Sequence, residues 1–235
     1  MFPATRHSAV LGTRSADPAE RNRAWETLIA AYWKPVYKYT RLQWQASAED
    51  AQDLTQAFFA RALEKGYFDS YDPGRSRFRT FLRVCLEGFL ANEHKAALRQ
   101  KRGGEVLFVP LDFEGAEGEL RQQEIPDGVT TEELFRREWV RSLFGMAVDQ
   151  LRAECEARGR QVHFHLFERY DLEESGLSYD DLAVQFGIPI TSVTNYLAVA
   201  RREFRRIVLD RIREISGSEE EFRAEARAVL GVDPA

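Results

Sequence analysis

Cysteine is scarce in this 235-residue chain: Cys85 and Cys155 are the only two. Both lie in segments of helical pattern without ligand spacing, so they read as buried reduced thiols rather than a disulfide or metal framework. No apolar run approaches the roughly 20 residues that span a bilayer. The opening MFPATRHSAV has no sustained apolar core. No membrane partner and no signal peptide are therefore expected, and the expected location is the cytoplasm. Nothing alternates with period two, which argues against half-buried strands. A phosphate-cradling loop, a nucleophile elbow and a zinc motif are all missing, so neither an enzyme nor a cofactor is expected. His163 and His165 have no further ligands clustered near them and do not make a metal site. Asp180-Asp181 read as first-turn acids that suit a helix dipole, not as catalytic paired carboxylates. No internal repeat or low-complexity tract is present.

Net charge is also small, −5, but it hides a segregation. Residues 1–102 carry 17 Lys/Arg against 11 Asp/Glu, residues 103–133 carry 1 against 9, and residues 134–235 carry 15 against 18. A basic front, an acidic middle and a mixed back point to partners of opposite sign rather than a uniformly solvated surface.

What the chain has in quantity is helical periodicity. A helix is predicted from Asp17, with Pro18 in its first turn and a kink or restart at Pro35. A second runs from Ser47 to Lys65 and stops at Gly66. After the turn-rich Tyr67–Arg77, a long helix covers Phe78 to Lys101. Residues 103–130, with Pro110, Pro126, five glycines and most of the acidic surplus, read as a linker too polar to build a core. Helices resume at Thr131, break at Gly159, and end with a short one capped by Ser218. The fold class expected is all-α, with helical domains at 17–102 and 131–215, an acidic linker at 103–130 and an extension at 216–235. A solvated capping turn is expected of the extension, with packing or regulation as alternatives.

Three constellations bear on function. From Ser178 to Phe186 a short helix ends in Gly187, Ile188 and Pro189 complete a turn, and a longer helix follows from about Thr191, with Thr191 or Ser192 as its cap. That is a helix-turn-helix pattern, whose second helix would enter the major groove while Arg201, Arg202, Arg205 and Arg206 continue toward phosphates. In the second, Arg75, Arg77, Arg79, Arg83, Lys95, Arg99, Lys101 and Arg102 are interleaved with Tyr67, Phe68, Tyr71, Phe78, Phe81 and Phe89, a mixture suited to phosphates and unpaired bases. In the third, Ser47-Ala-Glu-Asp-Ala-Gln-Asp-Leu-Thr-Gln-Ala-Phe-Phe59 sets an acidic cluster before Leu-Thr-Gln.

In that order, over roughly 24–102 and 134–210, these segments resemble the extracytoplasmic-function sigma factors of the sigma-70 family. The resemblance implies a non-enzymatic protein that directs core RNA polymerase, through its clamp and flap, to promoter DNA. It implies that Asp50, Gln52, Asp53 and Gln56 dock on the clamp, and that the loop 66–77 takes a flipped −10 base. Arg75, Arg77, Arg79, Arg83, Asn92, Lys95 and Arg99 would hold the opened strand. It implies that Thr191, Ser192, Thr194 and Asn195 reach −35 base edges with Arg201 on the backbone, and that the acidic linker mimics the transcript.

The chain also departs from the family. Gln52 and Ala57 stand where acids are usual, and Thr194, Tyr196 and Val199 where cations are usual. Leu-Thr-Gln in place of Leu-Val-Gln resembles the branch switched by a Ser/Thr protein kinase, which implies phosphorylation of Thr55 to restore the missing charge. Two alternatives stand beside this: a free-standing helix-turn-helix regulator of duplex DNA, and a signalling scaffold using its helices for protein contacts only.

Overall fold

The structure, a computed structural model, describes residues 8–97, 110–122, 128–173 and 176–231, with the side chains of 95–97 outside it. Among the described residues all regular structure is helical. Two compact units form: one takes the described residues up to Ser142 and from Ile212 onward, the other Leu143–Arg211.

In the first unit, α1 (Ala9–Gly12) lies against α2 (Pro18–Gln43). Asp17 caps α2 by accepting from the Ala19 N–H. The helix passes through Pro35 as one element rather than restarting. Proline removes one ladder bond there, and the burial of Trp33, Val36, Tyr37 and Tyr39 around it offsets that loss. Ser47 caps α3 (Ala48–Lys65), which stops at Gly66, whose φ of 61° is the left-handed conformation a side chain resists. A 3₁₀ turn at Tyr67–Ser70 and a short loop lead to α4 (Phe78–Ala97). Rings knit these pieces together: Trp25 stacks on Phe68 at 4.9 Å, and Phe78 receives Phe68, Tyr71 and Tyr32 edge-on at 5.1, 5.2 and 5.6 Å.

The stretch read as a linker is not wholly one. Its described part holds α5 (Phe113–Arg121), capped by Asp112. Phe113 packs against Trp33 at 5.3 Å and Tyr37 at 5.2 Å, and Ala116 is fully buried. Proline, glycine and acid content spoke for an open chain. The partner that makes this helix worth forming is the aromatic face of α2, which no local pattern reveals.

The first half of α6 (Thr131–Ala157) adds Leu134, Phe135 and Trp139 to this core. The extension is not a solvated turn: α10 (Glu219–Leu230) buries Phe222, Ala226, Glu221 and Glu225.

The second unit contains the rest of α6, α7 (Gln161–Phe167), a π turn at Glu168–Leu172, α8 (Tyr179–Phe186) and most of α9 (Ile190–Glu214). Its core is Leu143, Leu151, Phe164, Leu166, Leu182, Val193 and Leu197. Ser178 and Asp181 form a reciprocal capping box at the start of α8. At its end the Ile188 N–H donates to the Ala183 carbonyl at 3.1 Å and the Gly187 N–H to Val184 at 3.3 Å. This pair of bonds needs the positive φ of Gly187, 63°. The chain then turns through 100° into α9. Pro189 accepts from the N–H groups of Ser192 and Val193. Thr191 and Ser192 therefore lie inside the first turn rather than capping it.

Among the described residues no single helix is long and apolar enough to cross a membrane.

Candidate functional site

On α3, Glu49, Gln52 and Asp53 are exposed and Gln56 is half-buried. Their spacing puts them on one helical face. Asp50 is exposed too, but its carboxylate accepts the Ser47 hydroxyl at 2.7 Å and belongs to the cap. Glu49, on the same face, was not singled out from the sequence; the helical wheel alone could have added it. Thr55 points the other way. It is fully buried, its hydroxyl donating to the Ala51 carbonyl at 2.7 Å. The hydroxyl expected to accept a phosphate is thus not at the surface in this conformation.

Among the described residues, three cations at the start of the basic helix have partners within the chain. Arg79 is 4% exposed, pairs with Glu225 at 3.2 Å and lies over the Trp139 ring at 5.3 Å. Arg77 meets the same carboxylate at 3.4 Å, and Arg83 pairs with Glu87 on its own helix. Glu221 accepts from the Tyr71 hydroxyl at 2.8 Å, the Gly217 N–H at 2.7 Å and the Phe78 N–H that opens α4. Burial, reinforced by that carboxylate, pushes the Tyr71 phenol far above its ordinary range. In this conformation the guanidinium groups of Arg77, Arg79 and Arg83, expected to hold an opened strand, are each engaged with a carboxylate of the chain. Arg75 and Asn92 remain exposed, Arg75 with only a 3.4 Å contact to Asp72. The side chain of Lys95 and the whole of Arg99 lie outside the described residues.

The acidic middle is answered as well. Glu117 on α5 takes a two-pronged bond from Arg41, at 2.7 and 2.9 Å, and the Tyr37 hydroxyl at 2.7 Å. The Arg41 pairing holds its carboxyl down at about 2. Burial and the same carboxylate lift Tyr37 to about 12. Glu119 receives Lys34 and Lys38, both at 2.7 Å, and buried Lys38 also meets Glu138 at 2.9 Å.

In the second unit the outward side of α9 is open. Thr191, Thr194, Asn195 and Ala198 are exposed, and Ser192 is half-buried. Arg201 is not free: its guanidinium meets the Asp171 carboxylate at 2.9–3.1 Å, contacts the Tyr179 hydroxyl at 3.4 Å and covers the Tyr170 ring at 5.4 Å. Pairing with Asp171 raises its pKa still further. Arg201, expected on the DNA backbone, here fastens the π turn and the start of α8 to α9. Arg202 and Arg205, one helical face on, are exposed and without an ion-pair partner among the described residues. Inside the unit, His163 stacks on Tyr196 at 4.0 Å, and burial lowers its pKa.

The internal partnerships sequence reasoning missed are those of Glu117, Glu119, Asp171 and Glu225, which take cations, and of Glu221, which takes the Tyr71 hydroxyl and two backbone N–H groups. Only Glu221 and Glu225 left a trace, as i, i+4 neighbours beside Phe222 and Ala226. No family model, no curated protein and no solved structure matches the chain.

Proposed function

We propose that this protein is an RNA polymerase sigma factor of the extracytoplasmic-function kind, which docks on core polymerase through α3 and binds promoter DNA through α8 and α9. The observation that carries the proposal is the contrast among carboxylates of the first unit. Glu87, Glu93, Glu117, Glu119, Glu221 and Glu225 all have internal partners. Among the described residues Glu49 and Asp53 have none, as is also true of the scattered Glu26, Glu114 and Glu220, but only these two share one face with exposed Gln52 and half-buried Gln56. An unpaired acidic face of this kind suits a basic protein surface, and electrostatic complementarity would set the register. The steep turn between α8 and α9, with polar side chains outward and cations beyond them, suits a helix-turn-helix. Phosphorylation of Thr55 would require α3 to open first.

A free-standing regulator of duplex DNA is the second reading. It is favoured by the internal engagement of Arg77, Arg79 and Arg83, which leaves those cations closed to an unpaired strand. The experiment is titration of the full chain against purified core polymerase, with Glu49→Arg, Asp53→Arg as control. The sigma reading expects a complex that the charge reversal weakens at least tenfold. No complex, or one indifferent to the reversal, overturns it, and sequence-selective duplex binding without polymerase would then support the regulator.

A further inference from the structure

We propose that the outward face of α9 selects adenine–thymine base pairs, with Asn195 reading adenine and Thr191, Thr194 and Ala198 reading thymine methyl groups. This rests on the duplex-binding part of the function proposed above.

Residues 191, 194, 195 and 198 follow the spacing of a single helical face, and all four are exposed. At 1.5 Å per residue they span about 10 Å, the length of about three base-pair steps. The chemistry of that face is narrow. The major-groove edge of guanine offers two acceptors, which an arginine or lysine ordinarily answers. Adenine offers an acceptor beside a donor, which the amide of asparagine matches with both its groups. Thymine offers a methyl group that apolar atoms recognise.

No lysine or arginine occurs from Tyr170 to Ala200, so α8 and the first turns of α9 bring no cation to the groove. The first one, Arg201, is tied to Asp171 and Tyr179. Asn195 is exposed and its side chain has no hydrogen bond among the described residues, so both halves of its amide are available. Thr194 gives its only donor to the Ile190 carbonyl at 3.2 Å and offers a base no more than a lone pair and its methyl. Ala198 has a methyl and nothing else. Arg202 and Arg205 come a turn later, placed for phosphates, which position a protein without specifying sequence.

The test is selection of a randomised duplex library by the full chain, alone and with core polymerase. It is followed by affinity measurements on the selected site with single thymines replaced by deoxyuracil. Two or three adjacent A·T pairs are expected, with a several-fold loss at one or more deoxyuracil positions. Asn195→Ala, a surface change, is expected to cost about tenfold on the selected site and to erase adenine preference at one pair. Enrichment of G·C at the centre of the site, or indifference to both deoxyuracil and Asn195→Ala, overturns the inference while leaving duplex binding standing. Absence of any selected sequence in either condition overturns it together with the DNA-binding role of α9.

Discussion

Two sets of cations, one on the first unit and one on α9, meet opposite fates, although Arg201 and Arg206 of the second unit are paired like those of the first. In the first, Lys34, Lys38 and Arg41 on α2 are answered by Glu117 and Glu119 on α5, and Arg77 and Arg79 by Glu225 on α10. In the second, Arg202 and Arg205 on α9 stand in solvent without a carboxylate partner among the described residues. Both regions announce themselves in sequence the same way, as arginines and lysines at helical spacing. Charge segregation along the chain does call for partners of opposite sign. For five cations of the basic front, Lys34, Lys38, Arg41, Arg77 and Arg79, those partners are the chain's own middle and tail. A surface for nucleic acid is identified by cations left unanswered, not by cations counted.

The largest effect expected from this contrast is at Glu225. Arg79 and Glu225 are 4% and 3% exposed, so Glu225→Ala strands a guanidinium in the core. Breaking a buried pair from one side costs about 3–5 kcal/mol, while replacing both partners with apolar side chains is often neutral. Urea unfolding should therefore show a loss of that order for Glu225→Ala and recovery of most of it in Arg79→Met, Glu225→Leu. A single-variant loss below about 1 kcal/mol would mean the pair is solvated, and the contrast between the units would collapse.

Arg202 and Arg205 supply the reverse case. Arg202→Ala and Arg205→Ala should each leave the unfolding free energy within about 0.5 kcal/mol of the parent, as for surface positions without partners. Each should also lower the salt dependence of duplex affinity by about one counterion, uniformly across sequences. A stability loss without a change in salt slope would show that these arginines, too, are used internally.

Much of this was legible beforehand and some was not, for physical reasons. Caps and stops are local, so Asp17, Ser47, Gly66, Ser178 and Gly187 act where a reading of the sequence puts them. The inward faces of α2, α3, α4 and α9 follow from periodicity. Pairings across tens of residues do not. Tyr71 and Glu221 are 150 positions apart, and nothing local joins them. The acidic run around Glu117 has the composition of an open linker and becomes a helix only because Trp33 and Tyr37 present a face to it. Thr55 follows the same rule: the motif around it suggested a modification, but whether its hydroxyl is outside depends on which side of α3 meets the core.

The smallest expected effect is also the most diagnostic of internal neutralisation, because it can be followed with pH. The Glu117 carboxyl lies at about 2, whereas an unperturbed glutamate titrates near about 4.3. A carboxyl depressed by folding adds stability that is complete above its unfolded value and disappears as pH falls through its folded one. The hold of α5 on α2 should thus be constant from neutrality to about pH 4.3 and weaken between there and about 2, by about 1 kcal/mol for this partly exposed pair. Glu117→Gln should remove its share of the pH dependence and leave only that of Glu119, whose carboxyl, against the effect of burial, Lys34 and Lys38 also hold below its ordinary value. Amide-exchange protection of 113–121, taken relative to the core of α2, measures this directly. Should protection already fall between pH 7 and 5, the Arg41 pair is not what seats α5. The basic face of α2 would then be open to outside partners after all, and the first unit would resemble the second.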